Sequence, residues 1–298
     1  MTQVSTGYRL RGYLFALAAT AIWSGNFIVA RGLSAEVPPV TIAFYRWTIA
    51  MLVLFPFTVS GMWQQRKELV AHAPHLLITS FLGVTVFNTV IYIAGHKTTA
   101  LNMSLIAVVS PVFIICLAHL FLHDKLTLQR LVGVSTAAFG IVLLTTKGDM
   151  SLLLSLTFND GDVLMLLATF LFAVYSILVR RKPTVLRPLV YLEANFVLGW
   201  GMLLPWALWE WQSFPLEPLA AHVVMALVYI GVGAALLAYF AWNMAIETIG
   251  PARAAMVYYT LPIFCGVEAW LILGETVSWV HGVSGALIVC GIFIANRQ

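Results

Sequence analysis

The 298-residue chain is short of charged residues. Asp, Glu, Lys and Arg together make up 9% of it, whereas a soluble domain carries about a quarter. Hydrophobic residues make up 61%, and the mean hydropathy is +0.94. So few charges cannot coat a water-facing globule. The composition therefore excludes an ordinary soluble domain and predicts that lipid surrounds most of the surface.

Cysteine is equally scarce. Cys116, Cys265 and Cys290 have no paired spacing, which argues against a disulfide framework or a zinc site. All three fall within predicted helices, where we expect buried, inert thiols. The sequence has no HExxH, CxxC, P-loop or GxGxxG motif, so no metal, nucleotide or redox cofactor is predicted.

What the chain does contain is a series of long apolar runs. A helix needs about 20 mostly apolar residues to cross a hydrocarbon core of about 30 Å. The first run is long and lacks a small-residue cleavage site, so we interpret it as a helix and not as a removable signal peptide. The ten predicted membrane helices cover residues 12–31, 39–60, 76–96, 102–122, 129–146, 162–180, 188–209, 220–246, 253–273 and 279–295.

The distribution of Lys and Arg predicts how these helices are oriented. With the N-terminus placed in the cytoplasm, twelve of the 16 fall at cytoplasmic ends and three at external ends, and Arg46 lies inside a helix. This positive-inside bias predicts a plasma (inner) membrane protein with both termini cytoplasmic. It also accounts for the net charge of +4, so no nucleic-acid partner is predicted.

The two halves of the sequence resemble each other. Each half holds five predicted helices, an odd number, so the second half enters the membrane from the opposite side. We therefore expect two inverted repeats, residues 1–147 and 148–298, in one membrane domain; a duplication kept for packing alone is the alternative. A monomer is sufficient for such an arrangement, and an oligomer is left open. The matches include Gly12 with Gly161, Pro39 with Pro188, Pro56 with Pro205, Pro111 with Pro262, and Gly140 with Gly291.

Particular motifs add a family resemblance. The first helix carries the sequence AIWSGNF from Ala21 to Phe27, and the second carries Arg46. Each half closes with a proline helix, an acidic turn at Asp124 or Glu275, and a glycine-bearing helix. Along nearly the entire chain this resembles the drug/metabolite transporter superfamily in its EamA-type ten-helix branch, and most of all the bacterial aromatic amino-acid exporters.

The resemblance implies a carrier, not an enzyme, that exports small organic solutes, amino acids foremost. The chain departs from the family at Asp124, where Glu is common. In the second half, Ala173 and Tyr175 stand opposite Ser24 and Asn26. A symmetric role for that polar pair is therefore in question.

Polar and aromatic residues near helix centres are the candidate binding groups. Side chains three or four positions apart share a helix face. Neutral Asn and Tyr groups can hold a polar solute, and aromatic rings attract an ammonium group by about 0.5–2 kcal/mol. We expect one central cavity for a zwitterionic or amphiphilic solute; alternatively, these residues only join and pack helices. The candidates are Trp23, Asn26, Thr85, Asn88, Tyr92, Ser110, Tyr175, Tyr239, Trp242, Asn243, Tyr258 and Tyr259.

Two prolines and two ionisable residues complete the candidates. Pro111 and Pro262 occupy matching mid-helix positions and are candidate hinges, with inert kinks as the alternative. Arg46 and Glu193 lie about two turns into their helices and could snorkel or pair. Arg46 matches a family position that we interpret as structural. No carboxylate is placed at the midplane with a partner, so proton coupling is left open.

Other classes of membrane protein are less well supported. The run from Gly282 to Gly285 has the letters of an intramembrane serine protease motif, but no histidine follows it. Nothing resembles the carbonyl filter or charged ring of a channel. Sugar phosphates or organic cations are alternative solutes, and import is an alternative direction.

Overall fold

The computed structural model describes residues 6–33, 36–98, 103, 106–107, 109–146, 148–149, 151, 159–215, 218–264, 267–268 and 279–296. All regular structure within these ranges is helical, with no strand, as the sequence predicts. The helices are α1 (Thr6–Leu33), α2 (Pro39–Gln64), α3 (Arg66–Ala71), α4 (Ala73–Lys97), α5 (Ser110–Leu122), α6 (Leu128–Thr145), α7 (Asp160–Arg180), α8 (Pro188–Ser213), α9 (Ala221–Ile249), α10 (Pro251–Tyr258) and α11 (Trp279–Asn296).

Five of these helices, α2, α4, α7, α9 and α11, are long and apolar enough to cross a membrane, and α5 and α6 are shorter apolar helices. The number of spans and the side on which the termini lie stay predictions. Short α3 was not predicted as a separate helix. In the predicted span at 253–273, residues 265–266 (with Cys265) and 269–273 lie outside the described residues.

Local sequence explains where several helices begin. Pro39 and Pro188 open α2 and α8, where a missing N–H costs nothing. Asn159 caps α7: its side chain accepts from backbone N–H groups of the first turn, and the Asp162 carboxylate accepts from the Asn159 N–H. This capping box satisfies donors that a helix start otherwise leaves open.

Two helices contain π-helical stretches that the sequence analysis missed. Residues Phe81–Val86 interrupt α4, and residues Tyr229–Leu237 interrupt α9. Both stretches include glycine, and Gly83 lies so close to Tyr175 that an added Cβ would come within 2.2 Å of the ring. Wide turns of this kind release backbone carbonyls from regular helical pairing and often mark functional sites.

The two hinge candidates do not lie inside continuous helices. Pro111 is in the first turn of α5, directly after a turn in which the Val109 N–H donates to Ile106 O. Pro262 follows a similar turn, in which the Thr260 N–H donates to Val257 O. The mid-helix interpretation was therefore wrong: the α-helical hydrogen bonding already ends before each proline, because the turn tightens to i−3 bonds.

Helices from one half of the chain pack mainly against helices of the other half. α1 packs on α9, α2 on α8, α4 on α7, α5 on α10 and α6 on α11. The α6 and α11 backbones meet at Gly133 and Gly291. If each helix is replaced by its counterpart in the other half, the same five pairs result.

The expectation of buried cysteines was wrong at the two positions that are described. Cys116 and Cys290 are free thiols exposed on the outer surfaces of α5 and α11. In a protein surrounded by lipid, an apolar side chain on an outward face costs nothing, so apolar character does not predict burial.

Candidate functional site

A small cavity lies at the centre of the bundle, between the two halves of the chain. Its volume is about 30 Å³, close to that of one water molecule. Five of the predicted binding residues line it: Trp23, Asn26, Asn88, Ser110 and Tyr258. The other lining residues are Arg46, Phe87, Ile91, Met165, Thr169 and Phe172.

Aromatic rings form one wall of this central cavity. Trp23 meets Phe172 edge to face with ring centroids 5.5 Å apart, and Tyr258 lies 6.1 Å from Trp23. Phe87 stacks on Phe172 at 5.1 Å. The Trp23 indole N–H donates to Ala234 O at 2.9 Å, in the π-helical stretch of α9. The indole is thereby fixed in orientation while its ring stays available for contact.

Arg46 is the charged residue of the cavity lining, and it donates to the same Ala234 O as the Trp23 indole. Its guanidinium donates to Asn26 Oδ1, to the Tyr92 hydroxyl and to Ala234 O, each at 2.9 Å. Its residue surface is 1% exposed, so it does not snorkel to an interface. Tyr92 therefore holds Arg46 in place and does not itself line the cavity.

Asn88 and Tyr239 join the two halves directly. The Asn88 amide donates to the Tyr239 hydroxyl at 2.7 Å, and that hydroxyl donates to Gly83 O at 2.8 Å. The acceptor lies in the π-helical stretch of α4, just as Ala234 lies in that of α9. Each π-helical stretch thus supplies a carbonyl to the opposite half.

Other candidates lie behind the residues that line the cavity. The Tyr175 hydroxyl donates to Asn243 Oδ1 at 3.0 Å, and the Trp242 indole N–H donates to the Ser176 hydroxyl at 3.2 Å. The Thr85 hydroxyl donates to Gly199 O at 2.9 Å. They stabilise the walls without reaching the cavity.

Tyr259 is the one candidate that falls in a different cluster. It is buried among the residues that join α5, α6, α10 and α11. Tyr258 and Tyr259 are adjacent in sequence and so point to different sides of the helix end. Only the tertiary packing decides which of the two faces the cavity.

Sequence reasoning missed several lining residues. Phe172 had a usable signal, because it stands 149 positions after Trp23 in the matching half. Arg46 was noticed but interpreted as structural only. Phe87, Ile91 and Met165 gave no signal, since apolar residues in a membrane helix face lipid or cavity with equal ease.

Two carboxylates lie inside the bundle away from the cavity lining. Glu193 in α8 is fully buried, and neither of its oxygens has a hydrogen-bond partner within the described ranges. Glu268 accepts from the Ser24 hydroxyl at 2.5 Å. Neither residue forms an ion pair with any residue that the structure describes.

A larger depression opens at each end of the bundle. One, of about 500 Å³, lies beside the start of α2 and of α9 and includes Glu36 and Thr41. The other, of about 430 Å³, lies beside the end of α9 and includes Arg180 and Arg253. α9 runs from one depression to the other, and the small cavity lies between them.

These features define a class of protein: a multi-pass helical membrane protein with a polar and aromatic cavity at its centre. The chain belongs to the EamA-like transporter family, which matches residues 10–146 and again residues 159–297. It is a transporter and not an enzyme, in agreement with the names of its relatives.

Several relatives align over nearly the full length. An uncharacterized transporter of Archaeoglobus fulgidus is 27% identical over 96% of this chain and 97% of its own. A probable terminal-alkyne amino-acid exporter of Streptantibioticus cattleyicolor is 23% identical over 93% and 94%. A solved crystal structure aligns with a TM-score of 0.74 over 96% of each chain; at 19% identity it shows the fold alone.

Proposed function

We propose that the protein is a carrier that exports small organic solutes, most of all aromatic and other neutral amino acids, by alternating access through the central cavity. The observation that carries the proposal is the cavity itself. It lies between the halves, and both aromatic rings and the polar residues Asn26, Asn88, Ser110 and Arg46 line it. The relative named as an amino-acid exporter supports the solute class.

We further propose ten spans arranged as two inverted repeats with both termini in the cytoplasm of the plasma membrane. The self-matching helix pairs and the double family match support the repeats. The orientation follows from the Lys and Arg distribution. Symmetry of this kind gives a carrier two near-equivalent conformations, one open to each side.

The small cavity volume corresponds to a closed conformation. A cavity of about 30 Å³ cannot hold an amino acid, so the halves must separate on one side to admit the solute. The turns before Pro111 and Pro262 are candidate hinges for that movement. Pro111 and Pro262 have no N–H to donate, so bending at these turns breaks fewer hydrogen bonds.

Reconstitution into liposomes tests the proposal. Labelled tryptophan, threonine and a sugar phosphate are offered with and without a pH gradient, and counterflow is measured. We expect saturable amino-acid uptake that internal amino acid accelerates, because a carrier must reorient with its solute. Gradient sensitivity would establish proton coupling. Uptake of the phosphate alone would refute the solute class, and non-saturable flux would favour a channel.

A pair of tryptophan variants adds a matched control. Trp23→Ala removes a cavity wall, whereas Trp209→Ala removes an indole that is 66% exposed on α8. We expect the first to lower tryptophan uptake by at least about tenfold, equivalent to roughly 1.4 kcal/mol of binding. Trp209→Ala should leave uptake unchanged.

A further inference from the structure

The buried charge of Arg46 lacks a counter-ion in the described part of the chain. The ion pairs found there join Lys182 to Glu247 and His222 to Glu36. The Arg46 acceptors are an amide, a phenol and a backbone carbonyl, all of them neutral. Dipoles ease the burial of a cation, but they leave its charge uncompensated, which is costly within a membrane.

The guanidinium is also incompletely bonded. Its Nε is buried and has no hydrogen-bond partner among the described residues. The rings of Trp47 and Tyr239 lie 5.1 and 6.0 Å from Cζ, and they offer π-electron density without a formal charge. Arg46 therefore has both an unused donor and unbalanced charge.

A second unsatisfied donor lines the same cavity. Ser110, the first residue of α5, is 2% exposed, and its hydroxyl has no partner within the described ranges. Arg46 and Ser110 both line the central cavity. The Asn88 amide is already engaged with Tyr239. The open hydrogen-bonding capacity is thus a cation and a hydroxyl, which together suit an anion.

We infer that the solute carries a carboxylate, and that Arg46 and Ser110 bind it while the apolar part of the solute packs against Trp23, Phe172 and Tyr258. This assignment rests on the proposed function and specifies which residues contact the carboxylate and which contact the apolar part of the solute. Arginine binds carboxylates through paired N–H donors. The guanidinium has five N–H groups, and three of them donate to Asn26, Tyr92 and Ala234. The Nε–H and the second Nη2–H therefore remain for a paired contact with the carboxylate.

Competition against bound labelled tryptophan tests the inference without altering the protein. The competitors are tryptophan, tryptophan amide (which keeps the ammonium but has no carboxylate) and indole-3-propionate (which keeps the carboxylate but has no ammonium). We expect the amide to bind at least about tenfold more weakly than tryptophan and the propionate to compete. An amide that competes within threefold of tryptophan, or a propionate that does not compete, would overturn the assignment.

Serine variants locate the carboxylate. Ser110→Ala should weaken tryptophan binding about three- to tenfold and leave the amide's affinity unchanged. Ser284→Ala is the matched control, because Ser284 is also fully buried with no described hydroxyl partner but lies in α11 away from the cavity. Equal effects of the two variants would remove Ser110 from the site. Arg46→Lys should retain more tryptophan binding than Arg46→Gln, since Lys keeps the positive charge.

The outcomes separate this inference from the proposed function. If tryptophan and its amide bind equally well, amino-acid transport stands and the Arg46 assignment falls. If neither tryptophan nor threonine binds in direct assays with the labelled compounds, the proposed solute class is wrong. In that case, direct binding of labelled indole-3-propionate would still support the carboxylate assignment. If indole-3-propionate does not bind either, the carboxylate assignment is wrong as well.

Discussion

Replacing Gly291 by Ala tests the close contact between α6 of the first half and α11 of the second. A Cβ built at Gly291 would lie 2.5 Å from Gly133 O, 2.5 Å from Ala137 N and 2.8 Å from Ala137 Cβ. Two of these are backbone atoms that no rotamer change can move. Contacts below 3.0 Å are essentially absent from proteins, so α6 and α11 must separate by at least about 0.5 Å.

The expected energy follows from this overlap and from helix propensity. Overpacking a tight interface costs about 1–3 kcal/mol, while Ala in place of a helical Gly returns about 0.5–1 kcal/mol. Gly285 in the same helix is the control, because no described atom lies within 4 Å of its added Cβ. Gly285→Ala gains the propensity without the clash. The stability difference between the two variants therefore isolates the overpacking cost of about 1–3 kcal/mol.

Thermal unfolding in detergent measures this difference, with the fraction of protein that stays monodisperse after heating as the readout. We expect Gly291→Ala to melt several degrees below the wild type and Gly285→Ala at or slightly above it. Equal melting of the two variants would show that the α6 and α11 backbones are not in contact at Gly291. Transport can be measured on the same preparations, because the contact is remote from the cavity.

Two further predictions concern buried hydrogen bonds. Glu210 of α8 accepts from Thr41 N and Thr41 Oγ1, each at 2.7 Å, and so caps α2 from another helix. Glu210→Ala should cost about 1–2 kcal/mol in thermal stability and Glu210→Gln less; equal stability of all three proteins would refute the cap. Tyr239→Phe should cost about 1–3 kcal/mol, because it leaves the Asn88 amide and Gly83 O poorly paired. Tyr259→Phe is its matched control: the Tyr259 hydroxyl has no partner in the described structure, so melting should be nearly unchanged, and a large loss would contradict this.

The polar residues of the site illustrate how far helical periodicity reaches. Spacing placed Trp23 and Asn26 on one face of α1, and both line the cavity. The same spacing placed Tyr92 with Asn88 on α4, yet Tyr92 bonds Arg46 and only Asn88 lines the cavity. Periodicity fixes which side chains share a face. Contact with the neighbouring helix then decides which of them are covered.

The π-helical stretches could not be predicted from the sequence. The apolar runs predicted α4 and α9 as uniform helices, because hydropathy is the same for α- and π-helical turns. The wide turns coincide with contacts between the halves, such as Tyr175 against Gly83 and the Arg46 bond to Ala234 O. Such contacts arise between residues more than 90 positions apart.

The sequence by itself determined the solvent, the helical class and the family, because each follows from composition and short motifs. It also predicted most helix boundaries within a few residues, since prolines, caps and apolar runs are local signals. Only the tertiary structure decided that Cys116 and Cys290 face outward, that Glu210 caps α2, and that Arg46 meets neutral partners beside Ser110. In lipid, apolar and polar faces are no longer sorted by water, so side-chain burial is decided by the packing of one helix against another.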